Sequence, residues 1–141
     1  MTVSVALCTY NGSRYLPEQL ASIAAQTRLP DEVVVVDDGS RDDSVAVVEA
    51  WARNVAFSVR ILRNEQNLGS TKSFEKALLA CTGDVLLCSD QDDRWRTDRV
   101  AKQAAYLEQY PAMDAVFSDA TLIDDNSQPM SGTLWQRVEF T

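Results

Sequence analysis

Short apolar runs alternate with amphipathic segments along the 141 residues of this chain. Runs of aliphatic and β-branched residues without polar alternation are typical of buried strands, and they lie at 3–9, 33–36, 59–62 and 85–88. Apolar residues at helical spacing predict helices at about 14–25, 43–53, 70–81 and 98–110. This strict alternation of strand and helix predicts an α/β domain with a mainly parallel sheet.

The segment ends and the last thirty residues refine this pattern. Ser13 is the predicted N-cap of the first helix, and Pro17 fits its first turn. Residues 115–118 and 121–123 are predicted as short strands, residues 124–132 are rich in turn formers, and residues 133–141 show no regular periodicity. No repeat divides the chain, so residues 1–141 are predicted to form a single domain.

Polar and acidic residues follow the predicted strands at the points where the strands end. The first strand ends in Cys8, Thr9, Tyr10 and Asn11, the second in Asp37 and Asp38, the fourth in residues 90–93, and a later one in Asp119. Ligands of open α/β sheets bind beyond the carboxyl ends of the strands. We therefore expect a ligand site at this edge of the sheet.

The acidic loop after the fourth strand is the most unusual part of this edge. Asp90, Asp92 and Asp93 lie within four residues, and like charges at this spacing make one another harder to ionise. Capping of a helix needs only one carboxylate. A ligand role is therefore favoured over a purely structural one.

Two arrangements would stabilise the acidic loop. Mg²⁺ or Mn²⁺ accepts carboxylate oxygens and completes its shell with waters and substrate phosphates, so a metal would also let an acidic edge bind an anionic nucleotide. Pairing with Arg94, Arg96 and Arg99 is the alternative, but exposed ion pairs contribute little to stability. The chain has neither Gly-x-Gly-x-x-Gly nor a Gly-Lys-Ser/Thr loop, so phosphate binding is assigned to the metal.

Composition excludes several other classes of protein. A net charge of −8 disfavours nucleic acid and anionic membrane surfaces. The absence of histidine excludes Ser-His and Cys-His nucleophiles. Three cysteines without metal-ligand spacing indicate reduced thiols, and the N-terminus lacks the features of a signal peptide, so a cytoplasmic location is expected.

Four motifs together resemble the family-two glycosyltransferases, which are nucleotide-sugar enzymes with the GT-A fold. The motifs are "CTYNG", "VVVVDDGSRDDS", "NEQNLGSTKSFEKAL" and "GDVLLCSDQDDRW", and they follow the family's order and spacing between residue 3 and about residue 125. The variant "SDQDDRW" is most similar to bacterial rhamnosyltransferase-type members that build surface polysaccharides. The resemblance implies a three-layer, Rossmann-like domain and transfer of a sugar from a UDP- or dTDP-sugar to a saccharide acceptor.

The resemblance also implies roles for particular residues. Tyr10 would lie against the base within the loop from Cys8 to Asn11, and Asp38 would accept the base N3–H. Asp90 and Asp92 match the Asp-x-Asp motif, whose second carboxylate reaches the metal. The expected sugar pocket contains Asp93, Trp95 and Asp119.

The residue types agree with these roles and leave some alternatives open. An aspartate suits the N3–H donor of uracil or thymine, although Asp37 rather than Asp38 is the alternative ligand. Lys72 lies at a predicted helix start, where a cation suits diphosphate, but it is equally well explained as a solvated charge. Trp95 either lines the sugar pocket or packs under the loop.

The catalytic base is the expected missing part. Family-two enzymes are mostly inverting, and a carboxylate downstream of the Asp-x-Asp motif deprotonates the acceptor. Neither Asp119 nor Asp124 matches that position, so the base is expected beyond residue 141 and the chain is expected to bind a donor without transferring it. Self-association and contact with a membrane through a lipid-linked acceptor are further expectations. A non-catalytic nucleotide-binding module is the alternative function.

Overall fold

The computed structural model describes residues 1–140. Its elements in chain order are β1 (Val3–Thr9), α1 (Leu16–Ala24), β2 (Glu32–Asp37), α2 (Ser44–Ala52), β3 (Ser58–Arg63), α3 (Ser70–Ala80), β4 (Val85–Ser89), α4 (Arg99–Gln109), β5 (Thr121–Ile123), β6 (Pro129–Thr133) and α5 (Leu134–Arg137). The first eight elements alternate between strand and helix as the hydrophobic pattern predicts.

The first four strands form one parallel sheet in the order β3-β2-β1-β4. The register places Thr9 beside Asp37, and Leu7 beside Ser89. The carboxyl ends of β1, β2 and β4 therefore lie at one edge of the sheet, as expected. A parallel sheet flanked by helices confirms the predicted α/β class.

Alternate residues of β1 and β2 pack on opposite faces of the sheet. Val5 and Val35 belong to a cluster that includes side chains of α1, α2 and α4, whereas Ala6 and Val34 pack with Ala77 of α3. Every residue of β1 and β2 is buried, which explains their continuous apolar sequences. Each large aliphatic side chain buried in this way contributes about 1.5–3 kcal/mol.

The fourth strand is only half buried, contrary to the expectation of a fully buried strand. Val85 and Leu87 are buried, but Leu86 and Cys88 are exposed. Since β4 pairs with β1 alone among the described residues, it is an edge strand covered on one face. The run of apolar letters does not reveal this, because burial here depends on what covers each face.

The last third of the described chain differs most from expectation. Residues 115–118 form no strand, whereas β5 pairs antiparallel with β6 in a separate two-stranded sheet. The turn between them is organised by Asp124, whose Oδ1 accepts the N–H groups of Asn126 and Gln128 at 2.8 and 2.9 Å. The unpatterned tail contains part of β6 and α5, and Thr141 lies outside the described residues.

The start of α1 also corrects the sequence prediction. Tyr15, not Ser13, occupies the N-cap position, and the carbonyl of Gly12 accepts the N–H groups of Tyr15 and Leu16 at 3.0 Å each. The N–H of Ser13 instead donates to Asp42 at 3.0 Å. Among residues 1–140, no helix has the length and apolar character needed to cross a membrane.

Candidate functional site

A cleft of about 540 Å³ opens at the carboxyl ends of β1, β2 and β4. Its walls come from the loop after β1, the turn after β2, the start of α3 and the acidic loop after β4. Six of the predicted site residues line it: Cys8, Thr9, Tyr10, Asp38, Asp90 and Asp92. The fold thus brings together residues that are up to 84 positions apart in sequence.

Tyr10 presents an aromatic ring at the rim of the cleft. Its side chain is 46% exposed, whereas Thr9 before it is buried. The next residue, Asn11, has a φ of 47°, which asparagine tolerates better than most residues. Asn11 is fixed by two bonds: its N–H donates to Ser40 Oγ, and its Oδ1 accepts the N–H of Arg41, each at 2.9 Å. Asn11 therefore shapes the turn that holds Tyr10 outward.

The carboxylate of Asp38 is buried beneath the cleft and holds the loop before α3. Oδ1 accepts Asn64 Nδ2 and the N–H of Leu68, both at 2.8 Å, and Oδ2 accepts the N–H of Gly69 at 2.9 Å. Burial alone would raise the pKa of Asp38, but these donors hold that pKa below its usual value. Asp38 is thus an anionic side chain that organises the start of α3 while lining the cleft.

Asp37 is oriented differently from Asp38. It is fully buried, and its Oδ2 accepts the N–H of Ser40 at 3.1 Å across the turn after β2. Gly39, which lies in the same turn before Ser40, has a φ of 81°, a conformation that glycine adopts without strain. Asp38 borders the cleft and Asp37 does not, so the position of the two carboxylates favours Asp38 as the ligand.

The acidic loop keeps its carboxylates exposed and close together. Partial burial raises the pKa of Asp90, and the charge of Asp92 raises it further. Burial also raises the pKa of Asp93, followed by the charges of Asp90 and Asp92, while Arg99 acts in the opposite direction. Asp90 and Asp93 are therefore harder to ionise than isolated aspartates, and a cation placed among these side chains would be stabilising.

The nearby arginines do not neutralise this loop through ion pairs. Arg94 pairs with Glu18 at 3.3 Å and Arg96 with Asp98 at 3.5 Å. The guanidinium of Arg99 lies 4.1 Å from the ring centroid of Trp95. Among residues 1–140, no ion pair within 4.0 Å involves Asp90, Asp92 or Asp93.

The donor set of the loop fits a hard divalent cation that also binds phosphate. Asp90 and Asp92 supply carboxylate oxygens to the cleft, which are the donors that Mg²⁺ and Mn²⁺ prefer. Residues 1–140 contain no group of three or more acidic, cysteine or histidine side chains arranged around one metal position. Within the described residues, Asp90 and Asp92 are the carboxylates that would hold such an ion, with diphosphate and water as further ligands.

Cys8 forms part of the wall of the cleft as an inert thiol. Burial raises its pKa to about 12, with further contributions from Asp90, Cys88 and Asp38. The thiol therefore stays protonated at neutral pH and does not act as a nucleophile. Cys81 and Cys88 are also free thiols.

Five of the predicted residues do not line this cleft: Asn11, which shapes the turn beside it, and four others that lie elsewhere. Lys72 pairs with Glu75 at 2.8 Å and borders a different groove, between α3 and β3. Trp95 is 5% exposed and packs in the core under the loop. Asp119 accepts the N–H groups of Ala120 and Trp135 at 2.8 and 3.0 Å, and Asp93 is exposed outside the cleft.

Sequence reasoning missed a buried polar stripe on α1 that supports the acidic loop. Gln19 Nε2 donates to Ser89 Oγ at 2.7 Å, and Ser89 Oγ in turn donates to the carbonyl of Asp90 at 3.1 Å. Ser22 Oγ accepts the N–H of Trp95 at 3.0 Å. Gln26 lies two residues after the end of α1 and continues the stripe. The signal in sequence is polar residues at near-helical spacing, at positions 19, 22 and 26, among the apolar core residues.

Gln26 closes this stripe with three hydrogen bonds. Its Nε2 donates to the carbonyls of Ser22 and Arg96 at 3.0 and 2.7 Å, and its Oε1 accepts the N–H of Val100 at 3.0 Å. The loop from β4 to α4 is therefore fixed at one end by α1 and at the other by Gln26. These bonds hold the main chain on both sides of the acidic side chains.

Sequence reasoning also missed Gln91, the middle residue of the Asp-x-Asp motif. Its Oε1 accepts Thr9 Oγ1 and the N–H of Tyr10, both at 2.9 Å, and its Nε2 donates to the carbonyl of Tyr10 at 3.2 Å. Gln91 thus joins the loop after β1 to the acidic loop. A middle "x" position carries no signal of this contact in the sequence.

Comparison with known proteins agrees with this combination of sheet, cleft and acidic loop. Residues 4–138 match the model of the family described as Glycosyl transferase family 2. The chain belongs to this family, and the resemblance inferred from its four motifs is confirmed at the level of the family and of the GT-A fold.

The individual relatives are longer than this chain. An uncharacterized protein of Mycobacterium tuberculosis is 30% identical over 144 residues, which cover 96% of this chain and 40% of that protein. TarS 1–349 of S. aureus in complex with UDP is similar with a TM-score of 0.71 and 32% identity, covering 79% of this chain and 33% of the other. The mannosyltransferase PcManGT from Pyrobaculum calidifontis, in complex with GDP-Man and Mn²⁺, is similar with a TM-score of 0.70 and 26% identity. The match covers 86% of this chain and 35% of PcManGT.

Proposed function

We propose that this chain is the donor-binding domain of a metal-dependent, inverting glycosyltransferase. It binds a UDP- or dTDP-sugar for transfer to a saccharide acceptor, in the synthesis of a bacterial surface polysaccharide. The observation that carries this proposal is one cleft that combines the exposed ring of Tyr10, the buried carboxylate of Asp38 and the carboxylates of Asp90 and Asp92. Similar solved proteins with UDP, or with GDP-Man and Mn²⁺, support it.

Each part of the cleft has a role in binding the donor. Tyr10 offers a face on which the base stacks. Asp38 accepts a hydrogen bond from the base N3–H in addition to the loop donors that it already binds. Because a carboxylate here selects a ring N–H, uracil and thymine are preferred over adenine.

Asp90 and Asp92 hold Mg²⁺ or Mn²⁺ together with the diphosphate. When bound, the metal neutralises the charge that develops on the departing nucleoside diphosphate. The residues of this chain contribute by placing two carboxylates in the same cleft as the ring of Tyr10 and by fixing their loop through Gln19 of α1 and Gln26 after it.

Asp119 and Asp124, the carboxylates considered for the general base, both accept main-chain N–H groups. Asp119 accepts two main-chain N–H groups, and Asp124 Oδ1 accepts two more. We propose that residues 1–141 bind the donor and that the base lies outside them. A non-catalytic nucleotide-binding module remains the second candidate on this observation.

The free thiols bear on location. Cys8, Cys81 and Cys88 are unpaired in the structure, which suits a reducing compartment. We propose that the domain works in the cytoplasm.

A nucleotide panel tests the proposed function. Calorimetry with UDP, dTDP and ADP in the presence of Mn²⁺ is expected to show tighter binding for the two pyrimidine nucleotides than for ADP. Tyr10→Ala is expected to weaken UDP binding by about 1–3 kcal/mol, the range for loss of one stacked base. Tyr106→Ala, which removes an exposed tyrosine of α4, is the matched control and is expected to bind as the unmodified protein does.

Two outcomes would contradict the proposal: ADP binding as tightly as UDP, or a Tyr10→Ala variant that binds UDP normally. Incubation of the protein with UDP-sugars and Mn²⁺ then tests the second candidate function. Release of free sugar above the background rate excludes a non-catalytic module, whereas binding without release is expected both of such a module and of a donor-binding domain without its base.

A further inference from the structure

The side chain of Gln91 binds the main chain of the residue that carries the aromatic platform. Its Oε1 accepts the N–H of Tyr10 at 2.9 Å, and its Nε2 donates to the carbonyl of Tyr10 at 3.2 Å. The same Oε1 also accepts the hydroxyl of Thr9 at 2.9 Å. The two main-chain bonds fix the peptide groups on both sides of the Tyr10 Cα. The direction of the tyrosine side chain is thereby set by a residue of the acidic loop.

Gly12 is the second part of this arrangement. A Cβ atom at position 12 would lie 2.0 Å from Gln91 Oε1 and 2.5 Å from Gln91 Cδ, distances that real contacts do not allow. Its next neighbour would be Thr9 Oγ1 at 3.1 Å. Glycine at this position therefore makes room for the amide of Gln91. The φ of Gly12 lies outside the left-handed region, so the space and not the backbone conformation requires glycine.

The opposite side of the same turn is tied to the loop after β2. The N–H of Gly12 donates to Ser44 Oγ at 2.8 Å, and Asn11 bonds residues 40 and 41 as described above. These bonds hold the turn against β2, whereas Gln91 holds it against β4. Without Gln91, the turn keeps its contacts to the β2 side but loses its hydrogen bonds to the acidic loop.

We propose that Gln91 is a positioning residue of the cleft, which sets the ring of Tyr10 relative to the carboxylates of Asp90 and Asp92. This inference rests on the proposed function, in which a nucleoside diphosphate spans both groups. Gln91 lies between the two metal-binding carboxylates in sequence, yet its hydrogen bonds serve the base end of the ligand. Gln91 itself lines the cleft, and in this proposal it acts on the base through Tyr10.

Uridine separates the base end from the metal end, because it has a base and no phosphate. In an NMR titration, Gln91→Ala is expected to weaken uridine binding about tenfold, because it removes the hydrogen bonds that order Tyr10. A tenfold change in Kd is about 1.4 kcal/mol, which is within the net contribution of one hydrogen bond. Gln109→Ala, an exposed glutamine at the end of α4, controls for the loss of a glutamine elsewhere.

Gln91→Glu is a second variant that keeps the length of the side chain. It replaces the Nε2 donor by an oxygen that faces the carbonyl of Tyr10, so uridine binding is expected to fall as with alanine, although the acidic loop gains a charge. This variant keeps the test informative if the alanine variant does not fold. A uridine affinity within twofold of the unmodified protein in a folded Gln91 variant would overturn the inference.

A stability cycle tests the packing of Gln91 against Gly12. Gly12→Ala is expected to lower the melting temperature markedly in the unmodified protein. It is expected to lower it only slightly when combined with Gln91→Ala, because the amide group that clashes with the new Cβ atom is then absent. An equal loss in both backgrounds would contradict the proposed arrangement. If the unmodified protein binds neither uridine nor UDP, the proposed function itself fails and the positioning role fails with it. Normal uridine binding in a folded Gln91 variant refutes the positioning role alone.

Discussion

At the scale of single residues, the site combines groups that were predictable from sequence with groups that were not. Asp38, Asp90 and Asp92 follow strands at the edge where ligands of parallel sheets bind, so their convergence follows from the strand order alone. Lys72 was placed at the site because it begins a helix, but its charge pairs with Glu75 outside the cleft. Helix position gives no direction for a long side chain.

Asp92→Asn tests the metal-binding role of the acidic loop. It is expected to abolish the gain in UDP affinity that Mn²⁺ provides and to leave the fold intact, because Asp92 is exposed. Calorimetry with Mn²⁺ and with a chelator measures this. Asp114→Asn, at another exposed aspartate, is the control and is expected to keep the metal dependence. Retention of the full Mn²⁺ effect in Asp92→Asn would refute this assignment.

The same substitution has an expected effect on stability with a defined pH dependence. The charge of Asp92 raises the pKa of Asp90 and Asp93, so these ionised carboxylates destabilise the fold at neutral pH. Asp92→Asn is therefore expected to raise the free energy of unfolding at pH 7 by a few tenths of a kcal/mol, up to about 0.5. The gain disappears once the pH falls below the usual aspartate value near 3.8, because the neighbours are then protonated. Urea unfolding at pH 7 and at pH 3 measures it, and a destabilised variant at pH 7 would contradict the explanation.

At the scale of elements, the two ends of the sheet carry different polar groups. The carboxyl ends of the strands carry the cleft, whereas the amino ends are joined by buried Glu32. Its carboxylate accepts Ser4 Oγ at 2.6 Å, Arg60 Nη2 at 2.9 Å and the N–H and hydroxyl of Thr82 at 2.5 and 2.9 Å. Glu32 thus links the starts of β1 and β2 to Arg60 of β3 and to Thr82, which precedes β4.

Glu32 gives the fold a predicted acid sensitivity. Burial alone would raise its pKa, but the bonds from Ser4, Thr82 and Arg60 lower the pKa from 4.5 to about 2. The ionised group therefore contributes stability above pH 4.5, and this contribution is lost as the pH falls from 4.5 through about 2. Glu32→Gln is expected to lower the free energy of unfolding at pH 7 by up to about 3 kcal/mol, with a smaller difference at pH 3.

Chemical unfolding at pH 7 and pH 3 measures the effect of Glu32→Gln. Glu49→Gln, at an exposed position of α2, is the control and is expected to change the unfolding free energy little at either pH. A difference between Glu32→Gln and the unmodified protein that is the same at both pH values would show that ionisation of Glu32 is not the cause.

The buried polar stripe of α1 is the element-scale feature that the sequence did not reveal. Gln26→Ala is expected to destabilise the protein by about 2–4 kcal/mol, because it leaves the N–H of Val100 without a partner and frees the carbonyl of Arg96. Thermal unfolding checks this, with Gln109→Ala as the control. A loss below about 0.5 kcal/mol would mean that Gln26 does not fix the loop from β4 to α4.

At the scale of the whole molecule, hydrophobic pattern predicted the order and type of the first eight elements. The parallel class followed because helices separate all four strands. The pattern failed where burial depends on partners that are distant in sequence. Leu86 reads as buried but lies on an edge strand, and residues 115–118 read as a strand but have no strand beside them. Gln91 was missed for the same reason, since its partners Thr9 and Tyr10 are about eighty residues away.

The central claim is that one cleft binds a nucleoside diphosphate through both its base and a metal held by the acidic loop. The most direct measurement is calorimetric titration of the unmodified protein with UDP and with uridine, each with Mn²⁺ and with a chelator. We expect Mn²⁺ to tighten UDP binding by about tenfold or more, which is about 1.4 kcal/mol, and to leave uridine binding unchanged. A UDP affinity that is the same with and without metal, or no UDP binding at all, would contradict the claim.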